Sequence, residues 1–353
     1  MLGETGTRRV KSATVVVVGL ALTIAAASAW AAPGDLDPTF SGDGRLTIDF
    51  GTRFDYANAV ALQQNGKLVV AGVKRRSSSG ADFALARVNP NGSVDPSFSD
   101  NGLQTIAFGH QREDEAEAVA VLPNGRIIVS GFSNEQGVVA RLHSNGALDT
   151  SFSRDGRASV GNLEVAAMAI QSDGRIVLVG TKIGTGFQMV AARLTPNGRL
   201  DPSFSGDGRR TISFPHGSGP DEGFDFGQGV TIQANGRIVV SGATFQTGPG
   251  ELFAVARLLP GGKLDHSLGG DGRVTIAFGH QDKFGGPVTL QPDGKIVVAG
   301  AMSPDSNHPL RGASPASRRT PRPPVLQRWG TDRELWRSRH GGRLRCAGGW
   351  SPG

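Results

Sequence analysis

Cysteine is almost missing from this chain. Of 353 residues only Cys346 carries a thiol, so no intrachain disulfide can staple it and its stability must come from a core. Tyrosine occurs once, aromatic residues make up 6% and charged residues 19%. No window of helical periodicity reaches a length that would support a bundle or coiled coil. Long apolar runs are equally scarce. The main one, Thr14 to Ala27, covers 14 residues, short of the ~20 that a membrane helix needs. No G-x-S-x-G elbow or ordered Ser, His and Asp spacing is present, and Gly184-Thr185-Gly186 lacks the rest of a phosphate-binding loop. These absences leave no motif for nucleophilic catalysis.

What is abundant is glycine, with 52 residues beside 20 prolines, the composition of many short strands joined by tight turns. Arg8, Arg9 and Lys11 precede the apolar run, and Ala27-Ser28-Ala29-Trp30-Ala31 follows it with small residues. Residues 1–31 therefore read as a signal peptide cut after Ala31. That predicts a secreted, cell-surface or periplasmic protein with no membrane span after cleavage. Of the formal net charge of +6, the leader carries +2 and residues 311–353 carry +8, so the body between them stands at −4. A mildly acidic body offers no groove for nucleic acid.

Three motifs recur in fixed order. The first, G-x-[LV]-D-x-[ST]-[FL], places Asp37, Asp95, Asp149, Asp201 and Asp265. The second, [ND]-G-[KR]-[IL]-[VI], begins at Asn65, Asn124, Asp173, Asn235 and Asp293. The third, A-x-A-R-[VL] or a close variant, places Arg87, Arg141, Arg193 and Arg257. The chain is thus five copies of a unit of about 55 residues. Each unit reads as four strands, in the first unit Arg45 to Phe50, Ala59 to Gln63, Lys67 to Ala71 and Phe83 to Val88. The equivalent set in the fourth runs over 210–214, 230–233, 237–241 and 253–258. Alternation of polar and apolar residues marks them as strands. The expectation is an all-β, β-propeller-like array of five four-stranded repeats, the last incomplete.

Turns such as Pro90-Asn91-Gly92 and Pro196-Asn197-Gly198 fit three-residue hairpin loops, with Pro presetting φ and Gly supplying the left-handed residue. A loop at 90–92 pairs 89 with 93 and 87 with 95. Arg87/Asp95, Arg141/Asp149, Arg193/Asp201 and Arg257/Asp265 all keep that offset of eight, which predicts cross-strand ion pairs that fix each hairpin. Read as exposed pairs they would contribute at most about 1 kcal/mol each.

The segments Leu36-Asp37-Pro38-Thr39-Phe40, Asp293-Gly294-Lys295-Ile296 and Ala192-Arg193-Leu194 resemble the bacterial delta-60 repeat family over about residues 34 to 300. The resemblance implies an exported or surface-associated propeller-type protein, and it implies no established chemistry and no catalytic residues. The fifth copy departs from the pattern, with His266 and Leu268 where others carry Pro or Thr and Phe. After Gly300 no A-x-A-R follows, and 301–353 reads as a disordered basic tail with the composition of an out-of-frame stretch.

Asp35, Asp37 and Asp43, with Ser205-Gly206-Asp207-Gly208, invite a calcium reading. Calcium wants six to eight oxygen ligands, more than one such turn offers, so no cofactor is expected. The variable loops carry His110, Glu113, Asp114, His216, Asp221, Glu222, His280 and Asp282, the natural surface for an unidentified protein or glycan partner. The function expected is a non-enzymatic scaffold. The alternative is a sugar- or lactone-directed hydrolase or lyase with its site on the propeller axis, which requires carboxylates or His converging there.

Overall fold

The computed structural model describes residues 34–302 except 53, 77–79, 110–111, 185, 216–223, 247–249 and 278–282. The leader and the basic tail lie outside the described residues. Eighteen strands, and no helix among the described residues, form five antiparallel sheets. The first holds β1 (Asp55–Leu62), β2 (Leu68–Arg75), β3 (Ala81–Val88) and β4 (Leu103–Ile106) in sequential order. The second holds β5 (Asp114–Val121), β6 (Ile127–Ser133), β7 (Gln136–Leu142) and β8 (Arg157–Asn162). In the third are β9 (Glu164–Ile170), β10 (Ile176–Lys182), β11 (Gln188–Leu194) and β12 (Arg209–Ile212). The fourth has β13 (Asp225–Ile232), β14 (Ile238–Gln246), β15 (Gly250–Leu258) and β16 (Arg273–Ile276), and the fifth only β17 (Lys283–Leu290) and β18 (Ile296–Met302). The architecture is an all-β, propeller-like array with an incomplete last sheet.

Local chemistry sets the hairpins. Between β1 and β2, Gln63 N–H donates to the Lys67 carbonyl at 2.8 Å, which closes a three-residue loop. The Asn65 side chain accepts the Lys67 N–H at 3.2 Å, and Asn124, Asp173, Asn235 and Asp293 do the same in the other units. That Asx bond is why Asn or Asp must precede the Gly. At the second turn Asn89 N–H donates to the Ser93 carbonyl and Asp95 N–H to that of Arg87, both at 2.8 Å.

One feature of the repeat differs from the sequence expectation. The segment after the L-D-x-S-F turn does not open its own sheet. It returns antiparallel to the A-x-A-R strand before it, as Phe83↔Ile106 and Ala86↔Leu103 show. The L-D-x-S-F turn folds on itself, with Gly102 N–H donating to the Phe98 carbonyl at 2.6 Å, and so delivers β4 beside β3. Two corrections follow. Residues 45–50 are not the first strand of sheet one, and the segment 273–276 belongs to sheet four, which leaves sheet five two strands among the described residues.

The sheets stack face to face, and both faces of the middle strands are covered, so β6 is buried throughout. Val69, Ala71, Phe83 and Leu85 of sheet one meet Ile127, Val129, Ala140 and Leu142 of sheet two. Sheets two and three, three and four, and four and five repeat this contact. The first strands β1, β5, β9, β13 and β17 touch in succession and form the inner wall, and no comparable contact joins β17 to β1 among the described residues. The leading face of β1 is uncovered as well. Val60 and Leu62 are 61% and 69% exposed, whereas their counterparts Val119 and Val121, or Val230 and Ile232, rest against the preceding sheet.

Candidate functional site

The recurring Arg and Asp form one cassette. Arg87 Nε lies 2.6 Å from Asp95 Oδ2, and the three equivalent pairs each lie at 2.8 Å. A second cation joins from the preceding strand or its turn: Lys67 at 2.7 Å, then Arg126, Arg175 and Arg237 at 2.7–2.9 Å. The other carboxylate oxygen accepts both N–H and O–H of the motif serine, Ser97 in the first copy. The guanidinium of Arg87 stands 4.9 Å over the Phe98 ring, and Arg141 and Arg193 stand over Phe152 and Phe204 likewise.

These pairs are buried, contrary to the exposed strut expected from sequence. Their side chains are 2–16% exposed, and in the first three copies the next sheet's hairpin covers them. Arg87, Arg141 and Arg193 each use Nη1 to donate to a carbonyl of that hairpin, at Ser144, Pro196 and Pro260. The cassette therefore joins neighbouring sheets as well as the two arms of one hairpin. Arg257 keeps Asp265 and Ser267, but no following hairpin supplies a carbonyl to it among the described residues. Burial pushes the Asp149 and Asp265 carboxyls up, and the serine hydrogen bonds and arginine charges outweigh it, holding both at about 2. Asp95 is shifted lower still, with hydrogen bonds from Lys67, Ser97 and Arg87 overcoming burial. A groove of about 490 Å³ beside Lys67 and Arg87 looks cationic, yet both cations already hold Asp95.

The loop positions fare differently. His110, His216, Asp221, Glu222, His280 and Asp282 lie outside the described residues. Glu113 is at the surface, its carboxylate 3.4 Å from Arg75. Asp114 is fully buried at the start of β5, where its carboxylate accepts the Phe108 N–H at 2.7 Å. Asp55 and Asp225 accept the Phe50 and Phe214 N–H groups in the same way. Asp114 thus closes the loop between sheets from a buried position. Asp37 and Asp43 are similarly occupied as acceptors within their own turns. Among the described residues no group of His, Cys, Asp and Glu is arranged to hold a metal.

The beginnings of the inner strands carry the remaining chemistry. Equivalent positions are Tyr56, Glu115, Glu164 and Phe226, paired with Val73, Phe132, Thr181 and Ala243 on the second strands. Arg75 reaches toward Glu115 at 3.5 Å. The Tyr56 hydroxyl is pushed up to about 12, first by burial and then by the charge of Glu115 and its hydrogen bond. Two residues on, a bulge between Ala116 and Ala118 displaces Glu117 from the ladder. Burial first, and then the charges of Glu115 and Glu164, raise its carboxyl to about 7. On the neighbouring sector Phe187, Phe224, Phe226 and Phe245 cluster, with ring centroids 5.2–6.5 Å apart. All four rings are half-buried.

This end of the array is an acidic and aromatic face that the repeat motifs do not reveal. Its signal is faint: the alternating acids of Asp114-Glu115-Ala116-Glu117 in a strand, and phenylalanines that break the period. The fold and this face define a propeller-like repeat protein with one chemically distinct end.

The family model agrees with that class. Residues 63–98, 122–152, 171–204, 233–268 and 291–310 match the family model described as "Domain of unknown function (DUF5122) beta-propeller". The first four segments each run from the first hairpin turn to the L-D-x-S-F turn. The chain is similar in fold to the periplasmic gluconolactonase of Pseudomonas aeruginosa, at 13% identity and TM-score 0.43, covering 69% of this chain and 63% of that one. It is also similar to a protein of unknown function from Dyadobacter fermentans, at 13% identity and TM-score 0.40, covering 69% and 74%. A third likeness is to a GH43_1 enzyme from Xanthomonas citri, at 11% identity and TM-score 0.36, covering 69% and 90%. No curated protein matches the chain. No helix long and apolar enough to cross a membrane is present among the described residues.

Proposed function

We propose that this is an exported binding module of the delta-60 repeat type, whose rigid sheets present the inner-strand end to a glycan. The observation that carries the reading is that a tyrosine, two glutamates and a phenylalanine of a half-buried cluster occupy equivalent positions at the start of successive inner strands. Aromatic faces stack on the apolar side of a sugar ring, and carboxylates accept its hydroxyls, the mixture that small-molecule sites use. The Arg and Asp cassettes are spent on joining sheets, which leaves this face as the chemistry not consumed by folding. Titration of the protein against a panel of neutral oligosaccharides tests the reading. Binding that weakens about tenfold in Phe224→Ala and Glu115→Gln supports it; no binding across the panel, or binding indifferent to both changes, rejects it. Export is tested separately by the N-terminus of the protein recovered outside the cytoplasm, which should be Ala32.

One observation favours a second reading, a hydrolase or lyase of sugars or lactones at the axis. Glu117, held at about 7 beside Glu115 and Glu164, has the proton affinity of a general acid working near neutrality. Turnover of a glycoside or lactone that Glu117→Gln abolishes, while binding persists, would move the assignment from binding module to enzyme.

A further inference from the structure

Segment 34–50 is half of a repeat unit, folded and docked with no other half among the described residues. Its L-D-x-T-F turn is complete: Thr39 N–H and O–H both donate to Asp37 Oδ1, at 2.9 and 2.7 Å, as Ser97 does to Asp95. Gly44 N–H donates to the Phe40 carbonyl at 2.7 Å, the bond that Gly102 and Phe98 make in the next copy. Ser41 N–H donates to the Asn91 carbonyl at 2.8 Å, as Ser99 does to Asn145 and Ser153 to Asn197. By this last bond the segment occupies, against sheet one, the place that the L-D-x-S-F turn of each sheet takes against the sheet after it. Residues 45–50 therefore stand where a fourth strand stands.

Among the described residues the segment has no third strand. In each complete sheet the A-x-A-R strand pairs with the fourth strand and sends its Arg to the motif Asp. No strand pairs with 45–50, and no Arg or Lys faces Asp37, among the described residues. In place of that strand a groove of about 370 Å³ runs between Leu46, Ile48 and Phe50 on one wall and Val70, Ala84 and Ala86 on the other. The apolar residues of a third strand, such as Phe83 and Leu85, cover this kind of wall on the next sheet.

We propose that this groove is a strand-acceptor site, filled in trans by an extended segment of the small-x-small-Arg-Leu type from another polypeptide. Its backbone would pair with 45–50 by strand addition. Its residues at the positions of Phe83 and Leu85 would face Val70, Ala84 and Ala86, and its Arg would take Asp37 as Arg87 takes Asp95. Charge fixes both register and direction, because a shift by one residue turns the Arg away from the carboxylate. A second intact copy is not the donor, since its own third strands already sit inside four-stranded sheets.

The test uses the full chain and a free peptide with the sequence of residues 188–200, which carries Ala191-Ala192-Arg193-Leu194 and the Pro196-Asn197-Gly198 turn. Saturable one-to-one binding is expected, weakened about tenfold by Arg193→Ala in the peptide or by Asp37→Ala in the chain. The two changes together should weaken it no further than either alone, because both remove one contact. Asp37 is exposed, so the melting temperature of Asp37→Ala should match the parent and show that the scaffold is intact. Absence of binding overturns the proposal. So does equal binding of the Arg193→Ala peptide, the result expected if the peptide merely adds to the open edge of β18.

Discussion

Arg141 Nη1 donates to the carbonyl of Pro196 across 2.5 Å, a bond between residues 55 positions apart in neighbouring sheets. The same guanidinium holds Asp149 through Nε and Ser151 through Nη2. One side chain thus ties both arms of its own hairpin and the turn of the next. The pair is buried, so its strength lies in the full set of hydrogen bonds that offset desolvation.

Removing Arg141 leaves the buried Asp149 with Arg126 and Ser151 and strips the bond to the next sheet. Arg141→Ala is expected to lose about 3–5 kcal/mol of unfolding free energy. Arg257→Ala should lose about half of that, because Arg257 is more exposed and bonds to no following hairpin. Urea denaturation of the two variants checks the ranking. Equal losses would mean that the inter-sheet bond contributes nothing.

Gly198 has φ of +87°, and a Cβ added there would meet the Phe152 ring of the preceding unit at 2.9 Å. Gly294 has φ of +79° with nothing within 4 Å of that position. Both alanine variants bear a left-handed backbone penalty of about 1 kcal/mol. Gly198→Ala should cost about 2 kcal/mol more, since it also lifts one sheet off its neighbour. Thermal melts of the pair separate backbone strain from this packing contact.

The uncovered face of β1 gives a matched comparison. Val60→Ser and Leu62→Ser should each change stability by no more than about 0.5 kcal/mol, as surface substitutions do. Val119→Ser, at the position equivalent to Val60 but set against sheet one, should cost about 1–2 kcal/mol. A large loss from Leu62→Ser would show that something covers this face in solution.

Stability should respond to pH at both ends of the acid range. Asp149 and Asp265 ionise at about 2 in the folded chain, below the model-compound 3.8. The stabilisation they bring is complete above about pH 4 and fades as pH falls toward 2. Asp149→Asn should flatten that limb of a plot of melting temperature against pH.

Glu117 works in the opposite sense. Its carboxyl is raised from 4.5 to about 7, so the folded state holds a proton that the unfolded state releases between those values. Stability should therefore decline as pH rises from about 4.5 to 7, and Glu117→Gln should remove the decline, a difference on the order of 1–2 kcal/mol at pH 8. Unchanged pH dependence in that variant would mean that the carboxyl is solvated and unsuited to acid catalysis.

The pairing of Arg87 with Asp95 was legible in the sequence because it is local. A three-residue loop leaves one antiparallel register, and an offset of eight puts the two residues opposite each other. The membership of Leu103–Ile106 was not legible in the same way. Alternation marks those residues as a strand but is blind to which neighbour they join. The choice depends on the L-D-x-S-F turn folding back through its own hydrogen bonds. Burial of Asp114 was hidden for a related reason, since a carboxylate in a charged loop reads as solvated until its Phe108 partner is placed.

The sequence by itself determined the strands, the turns, the repeat and the register within each hairpin, all set by contacts among residues close along the chain. Tertiary structure decided the division into sheets, the burial of the arginine cassettes, the convergence of Glu115, Glu117 and Glu164, and the groove left beside residues 45–50. The division into sheets depends on how the L-D-x-S-F turn folds back, and the others depend on one sheet meeting the next, where no local periodicity carries information and only the stacking of faces brings the groups together.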